Sequence, residues 1–267
     1  MTSNIHPTAI IDPAAQLGAD VFIGAFCTVG PHAKIGDRVR LISHVVVEGH
    51  TTIGADTIVY PFACLGLRPQ DLKYKDEPSM LEIGKNNQIR EYATMHPGTE
   101  GGGMLTRVGD NGLFMINTHV AHDCKVGNNV IFSNCATLGG HVVVEDFVLI
   151  GGMSAVHQFT RIGAYAIIGG MSGVEKDVIP FGLVKGERAH LSGLNLIGLE
   201  RRGFNREDVR ALRSAYRMLF AHEGTLGERV EETAVQYKGQ AQVARIIDFI
   251  RSASDRAICQ PKADEEE

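Results

Sequence analysis

The chain has 267 residues and a formal net charge of −5 at pH 7, with 26 Lys and Arg against 31 Asp and Glu. A mildly acidic composition gives no electrostatic support for a nucleic-acid partner. No apolar run reaches the length of a membrane span, and the start MTSNIHPTAI lacks the basic end and apolar middle of a signal peptide. The five cysteines are odd in number and have no CxxC spacing, which is typical of a reducing compartment. We therefore expect a cytoplasmic protein.

Apolar residues recur at an interval of six along the first two thirds of the chain. They form two runs: Ile5, Ile11, Leu17, Ile23, Val29, Ile35, Leu41, Val47, Ile53, Val59 and Leu65, then Val108, Phe114, Val120, Val126, Phe132, Leu138, Val144, Ile150, Val156, Ile162, Ile168 and Val174. Neither helix periodicity nor strand alternation produces a strict six. The interval fits three short strands that close one triangular coil of 18 residues, so that stacked coils form a parallel β-helix.

Two segments interrupt the repeat. Residues 66–80 (GLRPQDLKYKDEPSM) are polar and offer Asp71 and Lys73, and residues 97–107 (PGTEGGGMLTR) are glycine-rich and shift the register by one residue. Excursions from a solenoid are surface loops that often carry binding residues, although a loop without function is the alternative for either segment.

The sixfold pattern fades after Pro180. From Leu194 onward the sequence predicts helices near 206–221, 225–237 and 240–253. Asn205 is the expected N-cap of the first of these. We therefore predict two domains: a β-helix over 1–187 with loops near 66–80 and 97–107, and an α-helical domain over 188–267 that ends in a disordered acidic tail.

A cluster of arginines marks the start of the helical region. Their three- and four-residue spacing predicts one shared helix face, either solvated or a docking site for an acidic partner; they are Arg202, Arg206, Arg210, Arg213 and Arg217.

Four histidines are expected to converge on one corner of the β-helix. Because residues 18 apart stack, His122 lies below Gly140 and beside His141, and His157 lies one coil higher. With His119 they would line one edge over roughly 10 Å. We interpret this edge as a functional site.

Three chemistries fit such an edge. The first is general-base catalysis, in which a neutral His122 takes a proton from a hydroxyl as it attacks a carbonyl. Asp123 would orient the His122 ring, and the Gly140 N–H would face the oxyanion. The second is zinc bound by three histidines in a hydratase. The third is nucleophilic attack by Cys124, which its inward repeat position disfavours. Because the histidines must be neutral, we expect activity to fall below about pH 6.5.

The segments MINTHVAHDCKVGNN, LGGHVVVEDF, IGGMSAVHQF, QDLKYKDEP and GLERRGF resemble the acyl carrier protein–UDP-N-acetylglucosamine O-acyltransferases of lipid A biosynthesis. The resemblance runs from about residue 4 to residue 250. It implies a mainly β fold, a left-handed parallel β-helix followed by a C-terminal α-helical domain. It also implies direct transfer of an R-3-hydroxyacyl chain from acyl carrier protein to the 3-hydroxyl of UDP-N-acetylglucosamine, without a cofactor or a metal. We expect a homotrimer with active sites between subunits, because exposed solenoid flanks pack against copies of themselves.

The resemblance also implies roles for individual residues. His122 matches the catalytic base, Asp123 its orienting neighbour and Gly140 the oxyanion donor. Gly170, with Met171 beside it, matches the position that sets acyl length, and a glycine there implies a long chain of about 14 carbons. The remaining matches are substrate contacts: Asp71, Lys73, His119, His141, His157, Gln158, Asn195, Arg201 and Arg202. A zinc-dependent hydratase of the same solenoid type and a non-catalytic scaffold remain the alternatives.

Overall fold

The structure is a computed structural model that describes residues 4–262. The acidic tail that the sequence predicts to be disordered falls on 263–267, outside the described residues. Within 4–262, no helix combines the length and the apolar character that crossing a membrane requires.

The first part of the chain winds as a left-handed parallel β-helix, as predicted. Corresponding residues of successive coils are 18 apart where no loop intervenes, as in the pairing of Ile5 with Ile23. The first twelve strands are β1 (Asn4–Ile5), β2 (Ile10–Ile11), β3 (Gln16–Leu17), β4 (Phe22–Ile23), β5 (Thr28–Val29), β6 (Lys34–Ile35), β7 (Arg40–Leu41), β8 (Val46–Val47), β9 (His50–Ile53), β10 (Ile58–Val59), β11 (Cys64–Leu65) and β12 (Met80–Ile83).

The coils continue upward to the helical region. The remaining strands are β13 (Gln88–Ile89), β14 (Thr94–Met95), β15 (Leu105–Val108), β16 (Leu113–Phe114), β17 (His119–Val120), β18 (Lys125–Val126), β19 (Ile131–Phe132), β20 (Thr137–Leu138), β21 (Val143–Val144), β22 (Leu149–Ile150), β23 (Ala155–Val156), β24 (Arg161–Ile162), β25 (Ile167–Ile168), β26 (Gly173–Val174), β27 (Gly182–Lys185) and β28 (His190–Leu194).

Each coil contributes one strand to each of three sheets. Sheet A runs β1-β4-β7-β10-β13-β16-β19-β22-β25-β27-β28, sheet B runs β2-β5-β8-β11-β14-β17-β20-β23-β26, and sheet C runs β3-β6-β9-β12-β15-β18-β21-β24. Three edges therefore separate the sheets. We call the B–C corner (121–124, 139–142 and 157–160) the histidine edge, the C–A corner (127–130, 145–148 and 163–166) the aromatic edge, and the A–B corner (133–136, 151–154 and 169–172) the glycine edge.

The apolar repeat fills the axis of the β-helix. Every member of the second run is buried, as predicted, and Phe114 and Phe132 pack with ring centroids 5.0 Å apart. In the first run burial is complete from Ile23 upward, whereas Ile5 is 42% exposed because no coil lies beneath it. Burying apolar side chains between stacked coils is the main favourable term for such a solenoid.

Two loops leave the coils at the predicted places, and both leave from the corner between sheets B and C. The first ends at residue 79, because Met80 begins β12, so the predicted loop 66–80 was one residue too long. The second includes a 3₁₀ turn over Glu100–Gly102 and ends at residue 104, because Leu105–Val108 is β15. The predicted loop 97–107 was therefore wrong for residues 105–107, which lie in a strand.

The C-terminal region is helical, with α1 (Leu196–Arg201), α2 (Arg206–Leu219), α3 (Leu226–Gln236) and α4 (Ala241–Arg251). The predicted N-cap is confirmed: the Asp208 N–H donates to Asn205 Oδ1 at 2.7 Å. The expected helix face of five arginines is wrong for Arg202, which caps the C-terminus of α1 before the chain turns at Gly203. The predicted domain boundary at residue 187 lies in the turn between β27 and β28.

Candidate active site

The histidine edge brings the predicted imidazoles together in successive coils. The rings of His122 and His141 lie edge to face with centroids 5.1 Å apart, and His141 stacks on Phe159 at 4.4 Å. The His141 N–H also donates to the His122 carbonyl at 3.0 Å, which links the two corners. His157 and Gln158 form the corner of the next coil and are exposed.

His122 and Asp123 form a hydrogen-bonded pair. His122 Nδ1 lies 2.8 Å from Asp123 Oδ2. Since an ionised carboxylate only accepts, the bond places a hydrogen on Nδ1 and leaves Nε2 free to act as a base. Burial alone would raise the pKa of the Asp123 carboxyl, but hydrogen bonds from His122 and Thr99 outweigh it and leave that pKa below its ordinary value. Asp123 therefore stays ionised at neutral pH.

The second loop holds the Asp123 carboxylate from the other side. The Thr99 N–H donates to Oδ1 at 2.8 Å and the Thr99 hydroxyl donates to Oδ2 at 2.7 Å. A Cβ on Gly102 would come within 1.9 Å of the Asp123 carboxyl carbon, so only glycine allows the loop to approach this closely. Sequence reasoning identified the glycine-rich loop but not these contacts.

Gly140 lies directly over the His122 ring. A Cβ at residue 140 would stand 2.5 Å from Cε1 of His122, so a side chain there would displace the imidazole. The Gly140 carbonyl accepts from the Phe159 N–H at 3.1 Å, while the Gly140 N–H has no acceptor among residues 4–262. A free backbone donor beside an imidazole is the geometry that stabilisation of an oxyanion needs.

Burial keeps the neighbouring histidines neutral. His119 Nδ1 lies 2.7 Å from the Thr94 hydroxyl, and its ring packs edge to face with His96 at 4.9 Å. Burial lowers the pKa of His119 and lowers the pKa of His96 to about 4. Burial also lowers the pKa of His141, although the Asp123 carboxylate acts in the opposite direction. His96 was not among the predicted site residues; the clustering of histidines between 96 and 157 was its signal.

The first loop lies beside the same edge. Asp71 and Lys73 act electrostatically on His141 with opposite signs, which places both side chains near its ring. Glu77 Oε1 accepts from the Glu100 N–H at 3.0 Å and joins the first loop to the second. The predicted contacts of this loop thus lie with the histidines.

Asn195, Arg201 and Arg202 lie away from the histidines, at the aromatic edge. Asn195 is the N-cap of α1 and donates to the Tyr165 carbonyl at 2.9 Å, and the Arg202 guanidinium stacks over Phe147 at 4.5 Å. A groove of about 790 Å³ runs between α1 and sheet A. It is lined on the sheet side by Ile131, Leu149, Ile167 and Leu183 and on the helix side by Asn195, Arg201 and Arg202.

Gly170 and Met171 occupy the third corner, the glycine edge, where the Met171 side chain is 69% exposed. The predicted site residues are therefore distributed over all three edges of one chain. A single chain brings together the histidines, Asp123, Gly140 and the first loop, but not the arginines or the glycine edge.

Two of the alternative chemistries can be weighed on this geometry. Cys124 is buried, its thiol donates to the Gly139 carbonyl at 3.2 Å, and burial raises its pKa to about 12. A thiol this weakly acidic is a poor nucleophile. For a metal, the potential donors are His122, Asp123 and His141, whose ligand atoms lie within 4.8 Å of one another. The three-histidine zinc set expected from the sequence is therefore replaced by two histidines and a carboxylate.

Sequence comparison relates both parts of the chain to known families. A profile described as UDP N-acetylglucosamine O-acyltransferase, domain 2, matches residues 177–259, and one described as bacterial transferase hexapeptide (six repeats) matches residues 14–49. The acyl-[acyl-carrier-protein]–UDP-N-acetylglucosamine O-acyltransferase of Caulobacter vibrioides is 54% identical over 259 residues, which are 97% of this chain and 98% of that protein.

Solved structures agree with the sequence comparison. A crystal structure of a UDP-N-acetylglucosamine acyltransferase is 41% identical, superposes with a TM-score of 0.94, and covers 98% of this chain and 100% of its own. The UDP-N-acetylglucosamine acyltransferase from Campylobacter jejuni is 40% identical with a TM-score of 0.91, covering 97% of this chain and 100% of its own.

Proposed function

The chain belongs to the UDP-N-acetylglucosamine O-acyltransferase family, and we propose that it moves an R-3-hydroxyacyl group from acyl carrier protein to the 3-hydroxyl of UDP-N-acetylglucosamine, the first step of lipid A biosynthesis. The observation that carries the mechanism is the His122–Asp123 pair beneath Gly140, whose N–H has no acceptor among the described residues.

The reaction is a direct transfer. His122 Nε2 takes the proton of the sugar hydroxyl as that oxygen attacks the thioester carbonyl, and the Gly140 N–H donates to the oxyanion. Asp123 holds Nδ1–H and stabilises the imidazolium that forms. When the intermediate collapses, the C–S bond breaks and the imidazolium returns the proton to the departing thiolate. The thioester is already activated, so the chain needs no metal for this route.

The other predicted residues bind the two substrates. Around the histidine edge, Asp71, Lys73, His119, His141, His157 and Gln158 position the sugar. Arg201 and Arg202 contact the diphosphate, because guanidinium groups match phosphate oxygens in charge and geometry, and Asn195 contacts the nucleotide. Gly170 and Met171 border the acyl chain, of about 14 carbons because a glycine leaves the groove open.

We infer that the complete site forms between copies in a homotrimer. The three edges of one chain point in different directions, so the histidine edge of one copy meets the sheet A groove and the arginines of the next. Threefold symmetry repeats this contact in three equivalent clefts. The exposed arginines of α2 suit docking of the acidic carrier protein in the cytoplasm; they are Arg206, Arg210, Arg213 and Arg217.

A zinc-dependent hydratase is the second candidate, favoured by the donor set His122, Asp123 and His141. A metal there would have to replace the hydrogen bond between His122 Nδ1 and Asp123 Oδ2. Transfer that persists after treatment with a chelator supports the acyltransferase. Zinc bound to the purified chain, together with a hydration activity that the chelator abolishes and zinc restores, would favour the hydratase.

The decisive variant is His122→Ala. We expect kcat for hydroxyacyl transfer to fall by about 10²- to 10⁴-fold, since a positioned general base contributes that much. His32→Ala is the matched control, because His32 is an exposed histidine that stacks on His50, outside the site. Light scattering confirms that the oligomer persists. Unchanged turnover in His122→Ala would overturn the base assignment, and absence of transfer by the wild-type chain would overturn the function.

A further inference from the structure

The chain returns to the β-helix after α4. Residues 252–260, the C-terminal segment, run along its top beside sheet C. The Asp177 N–H donates to the Ala257 carbonyl at 2.9 Å, and the Cys259 N–H donates to the Asp177 carbonyl at 2.8 Å. The buried Asp177 carboxylate also accepts from Arg161 Nε at 2.7 Å and from the Ser254 hydroxyl at 2.6 Å. The C-terminal segment is therefore attached through its backbone and through the Ser254 hydroxyl, which bonds to the same carboxylate as Arg161.

This attachment places Arg256 on the histidine edge. One terminal nitrogen of its guanidinium lies 2.8 Å from His157 Nδ1, and its Nε donates to the Gln158 carbonyl at 3.2 Å. His157 and Gln158 form the corner one coil above His141. A residue almost one hundred positions along the chain thus contacts both members of this corner.

The contact determines which ring nitrogen of His157 carries hydrogen. A guanidinium only donates hydrogen bonds, so Nδ1 must accept and the ring hydrogen is on Nε2. Nδ1 also lies 3.2 Å from the Gln158 carbonyl oxygen, but two acceptors cannot form a hydrogen bond, and Arg256 donates to both instead. His157 is thereby prepared to donate from Nε2 to a ligand oxygen.

We propose that Arg256 is a positioning residue for the acceptor sugar. It holds His157 as the Nε2–H tautomer and fixes the backbone at Gln158, so that this corner presents a donor to a sugar oxygen. The proposal rests on the proposed function, in which His157 and Gln158 contact the sugar. The planar fork of arginine makes both bonds at once, which the single ammonium of lysine cannot reproduce.

The kinetic test compares Arg256→Ala and Arg256→Lys with the wild-type enzyme. We expect the KM for UDP-N-acetylglucosamine to rise about tenfold in Arg256→Ala, with a smaller change in kcat. A tenfold rise corresponds to the binding free energy of about one hydrogen bond to the bound substrate. Arg256→Lys should recover part of the loss. Arg251→Ala is the matched control, because Arg251 carries the same charge close by but pairs with exposed Glu231.

A double-mutant cycle separates positioning from a merely structural role. If Arg256 acts mainly through His157, the variant lacking both side chains should have a KM well below the value expected from adding the two single losses; a small remaining effect would come from the bond to Gln158. Additive losses, an unchanged KM in Arg256→Ala, or a loss confined to kcat would each overturn the proposal.

Nitrogen NMR of histidine-labelled protein tests the tautomer without an activity assay. We expect His157 to carry its hydrogen on Nε2 in the wild-type enzyme and to become a mixture of tautomers in Arg256→Ala. A wild-type His157 protonated on Nδ1 would contradict the proposal. Failure of the proposed function is distinct, because it would show as a wild-type chain that transfers no acyl group.

Discussion

At the histidine edge the buried Asp123 carboxylate lies among imidazoles, and burial favours the neutral form of His119 and of His141. Hydrogen bonds hold the pKa of Asp123 low, whereas burial lowers the pKa of His119 and of His141. In the proposed mechanism, neutral neighbours would not repel the imidazolium that His122 becomes in the transition state, while the carboxylate would attract it. Because burial lowers the pKa of His119 and of His141, both rings keep their neutral form to a lower pH than a free imidazole does.

Asp123→Asn tests the orienting role of the carboxylate. The amide keeps the size of the side chain but removes the charge, and its NH₂ group can turn toward His122 Nδ1 and favour the wrong tautomer. We expect kcat to fall by about a hundredfold or more, with little change in the KM for the sugar nucleotide. Asp56→Asn, which breaks an exposed pair with Arg38, should leave kcat unchanged. Retention of wild-type kcat in Asp123→Asn would show that the carboxylate is not needed.

His96 makes stability depend on pH. Its pKa is about 4 in the folded chain, and its side chain is 6% exposed. In the unfolded chain it titrates near 6.5, so between these values the unfolded state binds the proton and stability is lost as the pH falls. At pH 5 the protonation of His96 in the unfolded chain lowers the free energy of unfolding by about 2 kcal/mol.

His96→Gln removes the titrating group. The measurement is denaturant unfolding of both proteins at pH 7 and pH 5, at one protein concentration. Between these two pH values, the free energy of unfolding of His96→Gln should fall by about 2 kcal/mol less than that of the wild-type chain. His32→Gln, at an exposed position, should match the wild-type pH dependence. Equal losses in all three proteins would contradict a buried, neutral His96.

At the level of elements, the sixfold repeat predicts the coils, but it does not predict the paths of the two loops. Stacking by 18 residues correctly places His141 beside His122 and Gly140 above it, because each position of a solenoid is determined by its neighbours. The contacts of Thr99 with Asp123 lie in a loop whose path has no period. Arg256 reaches the edge through tertiary packing of the C-terminal segment, which no local spacing encodes.

Shortening a buried side chain should destabilise the β-helix most in its middle coils. Phe132 is fully buried between two neighbouring coils, so Phe132→Ala should cost about 3–5 kcal/mol in the free energy of unfolding. Ile10 belongs to the first coil and is 71% exposed, so Ile10→Ala should change stability by no more than about 0.5 kcal/mol. Equilibrium denaturation measures both, and comparable losses would contradict nearest-neighbour stacking as the source of stability.

At the scale of the whole molecule, each edge of the triangular β-helix carries one part of the proposed chemistry. The proposed base and oxyanion donor are on the histidine edge, the arginines flank the aromatic edge, and Gly170 is on the glycine edge. A triangular cross-section cannot turn two of its corners toward one ligand, so a substrate that touches both needs a second copy. The division of residues among edges is thus a physical argument for assembly that does not depend on any observed interface.

Mixing two inactive variants tests whether the site is shared between copies. His122→Ala damages the histidine edge, and the double variant Arg201→Ala/Arg202→Ala damages the arginine pair. When the two are unfolded, mixed in equal amounts and refolded together, we expect about a quarter of the wild-type activity, since each cleft draws its two edges from different, randomly chosen chains. Mixing His122→Ala with Asp123→Asn is the control: both changes lie on the histidine edge, so every cleft stays damaged and no activity returns. If the first mixture also stays inactive although hybrid oligomers form, the base and the arginines act within one chain or not at all.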